Sequence, residues 1–353
     1  MAVMALPEGA EDFLRDWVRP RADRIDREVS LLREALDEMG CRGFLGLRVP
    51  AEFGGKGLEP VPFRRFQEES ARASGALAFL ESQHQSAAGL VARSGNESLR
   101  KRLLPRFARG EVRSGIAFSH LRRAGPPALA AVPERDGYRL GGRLSWVTGW
   151  GLFETCVTAA VLPDGRTVFV THALEESGRL RASQPMDLLA MSVTQTVEVE
   201  VRGLFVPGED VVDVHPGSWI RENDRLVVAL QSPLALGCAR AGIDLVREEA
   251  GRRGDGEMAA AAGRLEAEHG RCREAAYAAM DEREDVARGL EARAWAIELA
   301  GRSAHAAVLA AAGRGNLVPH PAQRVWREAL AFSVLALTAP IQRATLARLS
   351  SRG

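Results

Sequence analysis

Between Glu8 and Gly110 apolar residues return at helical spacing: Phe13, Val18 and Ile25, then Leu31, Leu32, Leu36 and Met39. Gly40 and Gly43 supply the glycine stop expected at a helix end. Val49-Pro50 and Phe53-Gly54-Gly55-Lys56-Gly57 break the pattern with turn residues. Helical spacing resumes from about Pro62 to Gly75, continues through His84 and Leu90, and returns over Leu99, Leu103 and Leu104 before Gly110.

The period changes at about Ser114. Thr155–Val161 and Thr167–Thr171 are rich in β-branched residues, and Thr194–Val201 alternates valines with charged residues. With turns at Asp164-Gly165 and Pro207-Gly208, this zone predicts short antiparallel strands closed into a barrel. From about Asp224 the chain is helical and rich in alanine. The spacing predicts four helices, at about 222–251, 257–285, 287–313 and 321–350, forming an antiparallel bundle. The expected fold is therefore α+β: an N-terminal helical domain (1–113), a middle antiparallel β-barrel (114–218) and a C-terminal four-helix bundle (219–353).

Composition narrows the function classes. The 353 residues are 46% hydrophobic and 26% charged, as in a soluble globular protein. Lys+Arg 47 against Asp+Glu 46 leaves a net charge of +1, which gives no electrostatic case for nucleic acid. Cys41, Cys156, Cys238 and Cys272 are far apart and form no CxxC, so neither a disulfide framework nor a metal site is expected. Free thiols, the lack of a signal-like N-terminus and the lack of a long apolar run point to a cytoplasmic protein with no membrane span.

Several segments, taken in order, resemble the acyl-CoA dehydrogenase superfamily across nearly the whole chain. Gly46-Leu47-Arg48-Val49-Pro50-Ala51-Glu52-Phe53-Gly54-Gly55-Lys56-Gly57-Leu58 is similar to that family's N-terminal glycine-rich turn. Gly95–Pro105 with Gly110-Glu111 is similar to the stretch before its barrel. Trp146-Val147-Thr148-Gly149 resembles the strand that closes over the flavin, and Ala190-Met191 with Phe205-Val206-Pro207 resembles the end of the barrel. The resemblance implies FAD as cofactor, an acyl thioester or other small-molecule substrate, and a homodimer or homotetramer. It places Trp146 against the isoalloxazine ring and Thr148 near the reactive flavin nitrogen, with Ser119 and Thr338 among the flavin contacts.

The departures from the family pattern are as informative. Ala117-Phe118-Ser119-His120 stands where many members read Ala-x-Thr-Glu-Pro, so His120 is either an acid–base group or a surface histidine. Arg252-Arg253-Gly254 stands at the pyrophosphate end without the usual aromatic residue; these arginines either hold a flavin phosphate or answer a helix dipole. The family's catalytic Glu-Gly-Thr is Ala336-Leu337-Thr338 here, so the usual base is missing. Asp224-Arg225-Leu226 resembles a Glu-Arg-Leu segment that carries the base in some branches, which makes Asp224 the candidate substitute. His320-Pro321, Arg324, Arg327 and Glu328 resemble a stretch of reduced-flavin monooxygenases of the same fold, although His320 before a proline reads as structural. Three readings follow: an FAD-dependent oxidoreductase that abstracts an α-proton, a reduced-flavin monooxygenase, and a noncatalytic binding or assembly protein.

Overall fold

The computed structural model describes residues 6–351. The chain opens with Ala10–Asp12 (α1), passes through a π-helical turn at Phe13–Val18 and a tight turn at Arg19–Arg21, and continues as Ala22–Ile25 (α2). Val29–Cys41 (α3), Pro60–Ala73 (α4), Gly75–Ala92 (α5) and Glu97–Ala108 (α6) complete the N-terminal helices. Ser74 separates α4 from α5: its extended backbone ends one helix, and its hydroxyl accepts from Leu77 N at 3.4 Å to cap the next.

Eight strands follow: Ser114–Ala117 (β1), Leu129–Glu134 (β2), Gly137–Val147 (β3), Thr155–Val161 (β4), Thr167–Ala173 (β5), Leu180–Ala182 (β6), Val197–Pro207 (β7) and Val211–His215 (β8). Their order is β6-β7-β3-β2-β4-β5-β8, with β1 beside β4. This corrects the expected barrel in two ways. The sheet is open, because its terminal strands β6 and β8 do not pair with each other. It is also mixed: β1 and β2 both run parallel to β4 and share one of its edges, β1 along Thr155–Thr158 and β2 only at Val161. Alternation along a strand reports which face is buried, and says nothing about closure or partner direction.

The last zone holds Trp219–Leu226 (α7), Ser232–Arg253 (α8), Gly256–Asp281 (α9), Val286–Ala311 (α10), Pro321–Val334 (α11) and Ala339–Ser350 (α12). Two of the four expected helices are broken, each by a proline. Pro233 has no N–H for the Ala229 carbonyl, and α7 and α8 meet at 62°. Pro340 likewise cannot serve the Ala336 carbonyl, so α11 stops at Val334 and α12 begins at Ala339. Small residues bring the bundle close. A Cβ at Gly242 would lie 2.6 Å from Ser303 O on α10, and one at Gly237 would lie 2.0 Å from Glu68 O on α4. Cys156, Cys238 and Cys272 are free and buried, and Cys41 is free and exposed. Among the described residues no single helix is long and apolar enough to cross a membrane.

Candidate functional site

Trp146 is set out from the sheet by a bulge. Between the pairs Leu144↔Val199 and Val147↔Val197, β3 has one residue more than β7. Trp146 takes up this extra length with φ 60, and its side chain is 52% exposed. A left-handed backbone at a bulky residue costs roughly 1–2 kcal/mol, and a half-exposed indole offsets this by only part of the burial an aromatic can gain. Such strain persists where surrounding structure enforces it, and here the next residues do so. Thr148 is buried with its hydroxyl 3.0 Å from that of Thr196, and Gly149 N donates to Thr194 O at 2.9 Å. Gly149 has φ 87, and a Cβ there would fall 2.3 Å from the Phe153 ring. The residues that follow Trp146 are thus pinned, while its indole is half exposed.

The turn at Ser119–Arg122 comes next. Ser119 is exposed. His120 is buried rather than on the surface, with Nε2 2.9 Å from Ala159 O. A carbonyl only accepts, so Nε2 carries the proton and Nδ1 is bare and without a partner. Burial lowers its pKa and favours the neutral ring. His120 therefore ties the turn to β4. Arg122 forks onto Asp224 on α7, Nε to Oδ2 at 2.8 Å and Nη2 to Oδ1 at 2.7 Å. Phe118 meets Trp219 edge to face at 6.4 Å, so α7 is docked on this turn at both its ends. The structure brings Asp224 to the Ser119 turn, with both of its carboxylate oxygens engaged.

Ala336 is exposed and left-handed, with φ 49. It carries no proton acceptor. Leu337 packs against the cluster of Val228, Ile297 and Ile341, which sets this turn beside the α7–α8 break. Thr338 is at the N-cap of α12, but its side chain makes no capping bond. Arg293, a residue that sequence reasoning missed, lies beneath. It is 1% exposed, and its Nη2 donates to Leu335 O at 3.2 Å and Phe332 O at 3.4 Å. Burial without an acidic partner pushes its pKa down to about 10. The cation faces the C-terminal carbonyls of α11, where the helix dipole favours it. Its only sequence signal is an arginine on the apolar face of a helix.

The remaining candidates are engaged within the chain. Arg252 donates to Glu249 at 2.7 Å, and Arg253 donates to Ala310 O at 2.7 Å, both in the last turn of α8. Gly254, with φ 64, ends that helix. His320 caps α11, its Nδ1 accepting from Ala322 N at 3.2 Å. Arg324 bonds Asp23 at 2.8 Å and Glu328 at 2.9 Å, Arg327 bonds Asp26, and Glu328 accepts from Gly75 N at 2.9 Å. The stretch from His320 to Glu328 clamps the bundle to the N-terminal helices.

Comparison with known proteins agrees with this geometry. The family model described as Acyl-CoA dehydrogenase, N-terminal domain, matches residues 4–111. The 3-(aryl)acrylate reductase of Clostridium sporogenes is 27% identical over 252 residues, 67% of this chain and 65% of that protein. The mitochondrial isovaleryl-CoA dehydrogenase of Pongo abelii is 28% identical over 213 residues, 57% of this chain and 50% of that one. These matches span about half to two thirds of the length of those relatives. A glutaryl-coenzyme A dehydrogenase in complex with glutaryl-CoA superposes with a TM-score of 0.83 at 21% identity, over 97% of this chain and 94% of that one. Butyryl-CoA dehydrogenase from Megasphaera elsdenii superposes with a TM-score of 0.81 at 18% identity, over 97% and 96%. Residues 4–111 thus match the acyl-CoA dehydrogenase N-terminal domain, and the chain as a whole has the acyl-CoA dehydrogenase fold.

For an acyl-CoA dehydrogenase-like chain, the residues present suit a flavin ring better than they suit its phosphates. Trp146 offers a half-exposed aromatic ring, Thr148 two residues on has a buried hydroxyl 3.0 Å from that of Thr196, and Ser119 is exposed. Arg252 and Arg253 are already held by Glu249 and Ala310.

Proposed function

We propose that the protein is an FAD-dependent oxidoreductase of the acyl-CoA dehydrogenase type acting on an acyl thioester. The observation that carries this reading is Trp146, a residue with a left-handed backbone and a half-exposed indole. A planar ligand stacked there would recover the contact that the bulge exposes. Bound FAD supplies the hydride acceptor. Trp146 fixes the plane of the ring, Thr148 and Ser119 supply polar contacts at its edge, and Thr338 stands at the turn across from them in the family pattern.

Removal of an α-proton needs a carboxylate. Position 336 has none, so the role falls to Asp224. A carboxylate whose two oxygens both accept from a guanidinium must leave Arg122 before it takes a proton. That fork, together with Ala336, favours a second reading: flavin chemistry without α-proton removal, as in reduced-flavin monooxygenases of this fold. A homodimer or homotetramer fits the exposed row Trp326, Leu330 and Val334 along α11.

The absorption spectrum of the purified protein, before and after incubation with FAD, is the first test. Stoichiometric flavin bands are expected, and Trp146→Ala should weaken FAD binding roughly tenfold or more. Protein that neither retains nor takes up FAD would overturn the dehydrogenase reading and leave the reductase-fed monooxygenase or a binding or assembly role. Acyl-thioester bleaching separates the two enzyme readings. If Asp224 is the base, Asp224→Asn slows bleaching at least a hundredfold, the range of a lost general base. Unchanged bleaching removes Asp224 from the mechanism, and oxygen uptake that depends on a flavin reductase would favour the monooxygenase.

A further inference from the structure

The end of β3 far from Trp146 meets β2 and β7 in a concave surface. The β2–β3 hairpin turns over Arg135 and Asp136, between the paired residues Glu134 and Gly137. Arg135 takes a positive φ of 49, as two-residue hairpin turns do at their first central position. On β7, Gly203 is the extra residue of a bulge between the pairs Leu140↔Leu204 and Gly141↔Arg202, with φ 63. Hairpin and bulge border a cavity of about 470 Å³. Small-molecule sites span roughly 300–1,000 Å³.

Two guanidinium groups meet over the bulge. A Cβ at Gly203 would have Arg179 Nη1 at 3.7 Å and Arg139 Nη1 at 3.9 Å, so both cations lie against one point. Each commits that nitrogen to a bulge carbonyl. Arg139 Nη1 donates to Gly203 O at 2.8 Å, and Arg179 Nη1 donates to Arg202 O at 3.3 Å. The backbone of Arg179 is held on both sides, its N donating to Ser177 Oγ at 3.2 Å and its O accepting from Arg202 N at 2.8 Å. The rest of Arg139 is engaged. Its Nη2 donates to Glu134 at 2.7 Å, and Nε bonds the same carboxylate. Its Cζ is 5.8 Å from the ring centroid of Phe205, its partner across the strands. Arg179, by contrast, has no acceptor for Nε or Nη2 among the described residues, and no carboxylate at ion-pair distance. Other exposed arginines of the sheet do find one: Arg166 pairs with Asp164, and Arg202 with Glu200, each at 2.7 Å.

A guanidinium with Nε and one Nη free presents two parallel N–H groups, the edge that forks onto a carboxylate. Phe205, which lines the same cavity, is 37% exposed and supplies apolar surface next to this edge. Arg135, Arg139 and Arg179 against Glu134 and Asp136 leave the lining one positive charge, and Glu134 is already matched by Arg139. We propose that this cavity binds a small carboxylate with an apolar body, forked by Arg179 and resting on Phe205. It shares no residue with the flavin reading and stands whether or not that reading holds.

Titration calorimetry of the whole chain with benzoate tests this, with benzamide and acetate compared at the same ionic strength. Saturable benzoate binding is expected. Benzamide, which lacks the charge, and acetate, which lacks the ring, should each bind roughly tenfold more weakly or worse. Arg179→Met keeps the exposed stem without the fork and should weaken benzoate binding roughly tenfold or more. Phe205→Ala, with Arg179 in place, should weaken it about threefold or more. No saturable benzoate binding overturns the proposal, and so does benzoate binding that survives Arg179→Met. Benzamide or acetate binding as tightly as benzoate removes the fork or the apolar wall, and the ligand class falls with it.

Discussion

Glu81 is wholly buried, and neither of its carboxyl oxygens has a hydrogen-bond partner. Desolvation raises its pKa from 4.5 to about 8, so the folded state prefers the protonated form. The stability this gives is fully present below pH 4.5 and is lost as pH rises through about 8. Glu81→Gln should flatten that dependence. Between pH 6 and 9 the urea midpoint of the parent should fall by the equivalent of a few kcal/mol, while that of the variant stays level. A level parent curve would show that the carboxyl is solvated or paired. At this scale the sequence is a partial guide. Trp146 and Thr148 stand out because an aromatic and a hydroxyl recur in a known pattern, and Ala336 stands out by what it lacks. Arg122 does not, because its partner Asp224 is 102 positions away and only folding joins them.

Prolines and glycines decide the elements. Helical periodicity runs through Pro233 and Pro340, since a spacing pattern counts side chains and not missing N–H groups. The two breaks pack Leu337 against the cluster of Val228, Ile297 and Ile341 and so bring the Ala336 turn to the segment that follows α7. Alanine content explains why the bundle helices approach closely, yet the tightest contacts are at glycine. Gly237→Ala should destabilise the protein by about 2–3 kcal/mol, because the added Cβ would meet Glu68 O at 2.0 Å and backbone cannot easily yield. Chemical denaturation measures this loss. A change below about 0.5 kcal/mol would mean that α4 and α8 separate readily.

Across the whole molecule, ion pairs tie the ends of the chain together. Asp23 and Asp26 meet Arg324 and Arg327, and Glu328 holds both Arg324 and the first amide of α5. All of Glu328 is buried, so its loss leaves the buried Arg324 with Asp23 as its one remaining acidic partner. Glu328→Ala should cost about 3–5 kcal/mol, seen as a lower thermal midpoint. Glu328→Gln, which retains an acceptor for Gly75 N, should lose less. Equal midpoints for the parent and both variants would remove the clamp from the account. The same residues had suggested a monooxygenase, but their contacts explain them as structure.

Local pattern determined a good deal. Periods of about 3.6 and 2 residues mark helices and strands because each buries one face, and the glycine-rich turn at 46–58 lies within the residues that match the acyl-CoA dehydrogenase N-terminal domain. Tertiary structure alone decided that the sheet stays open, that β1 and β2 run parallel to β4, that His120 is an internal tie, and that Asp224 is held by Arg122. These depend on which distant groups meet. Burial faces and turn chemistry are written residue by residue, whereas strand partners and ion pairs are chosen only when the whole chain competes for them.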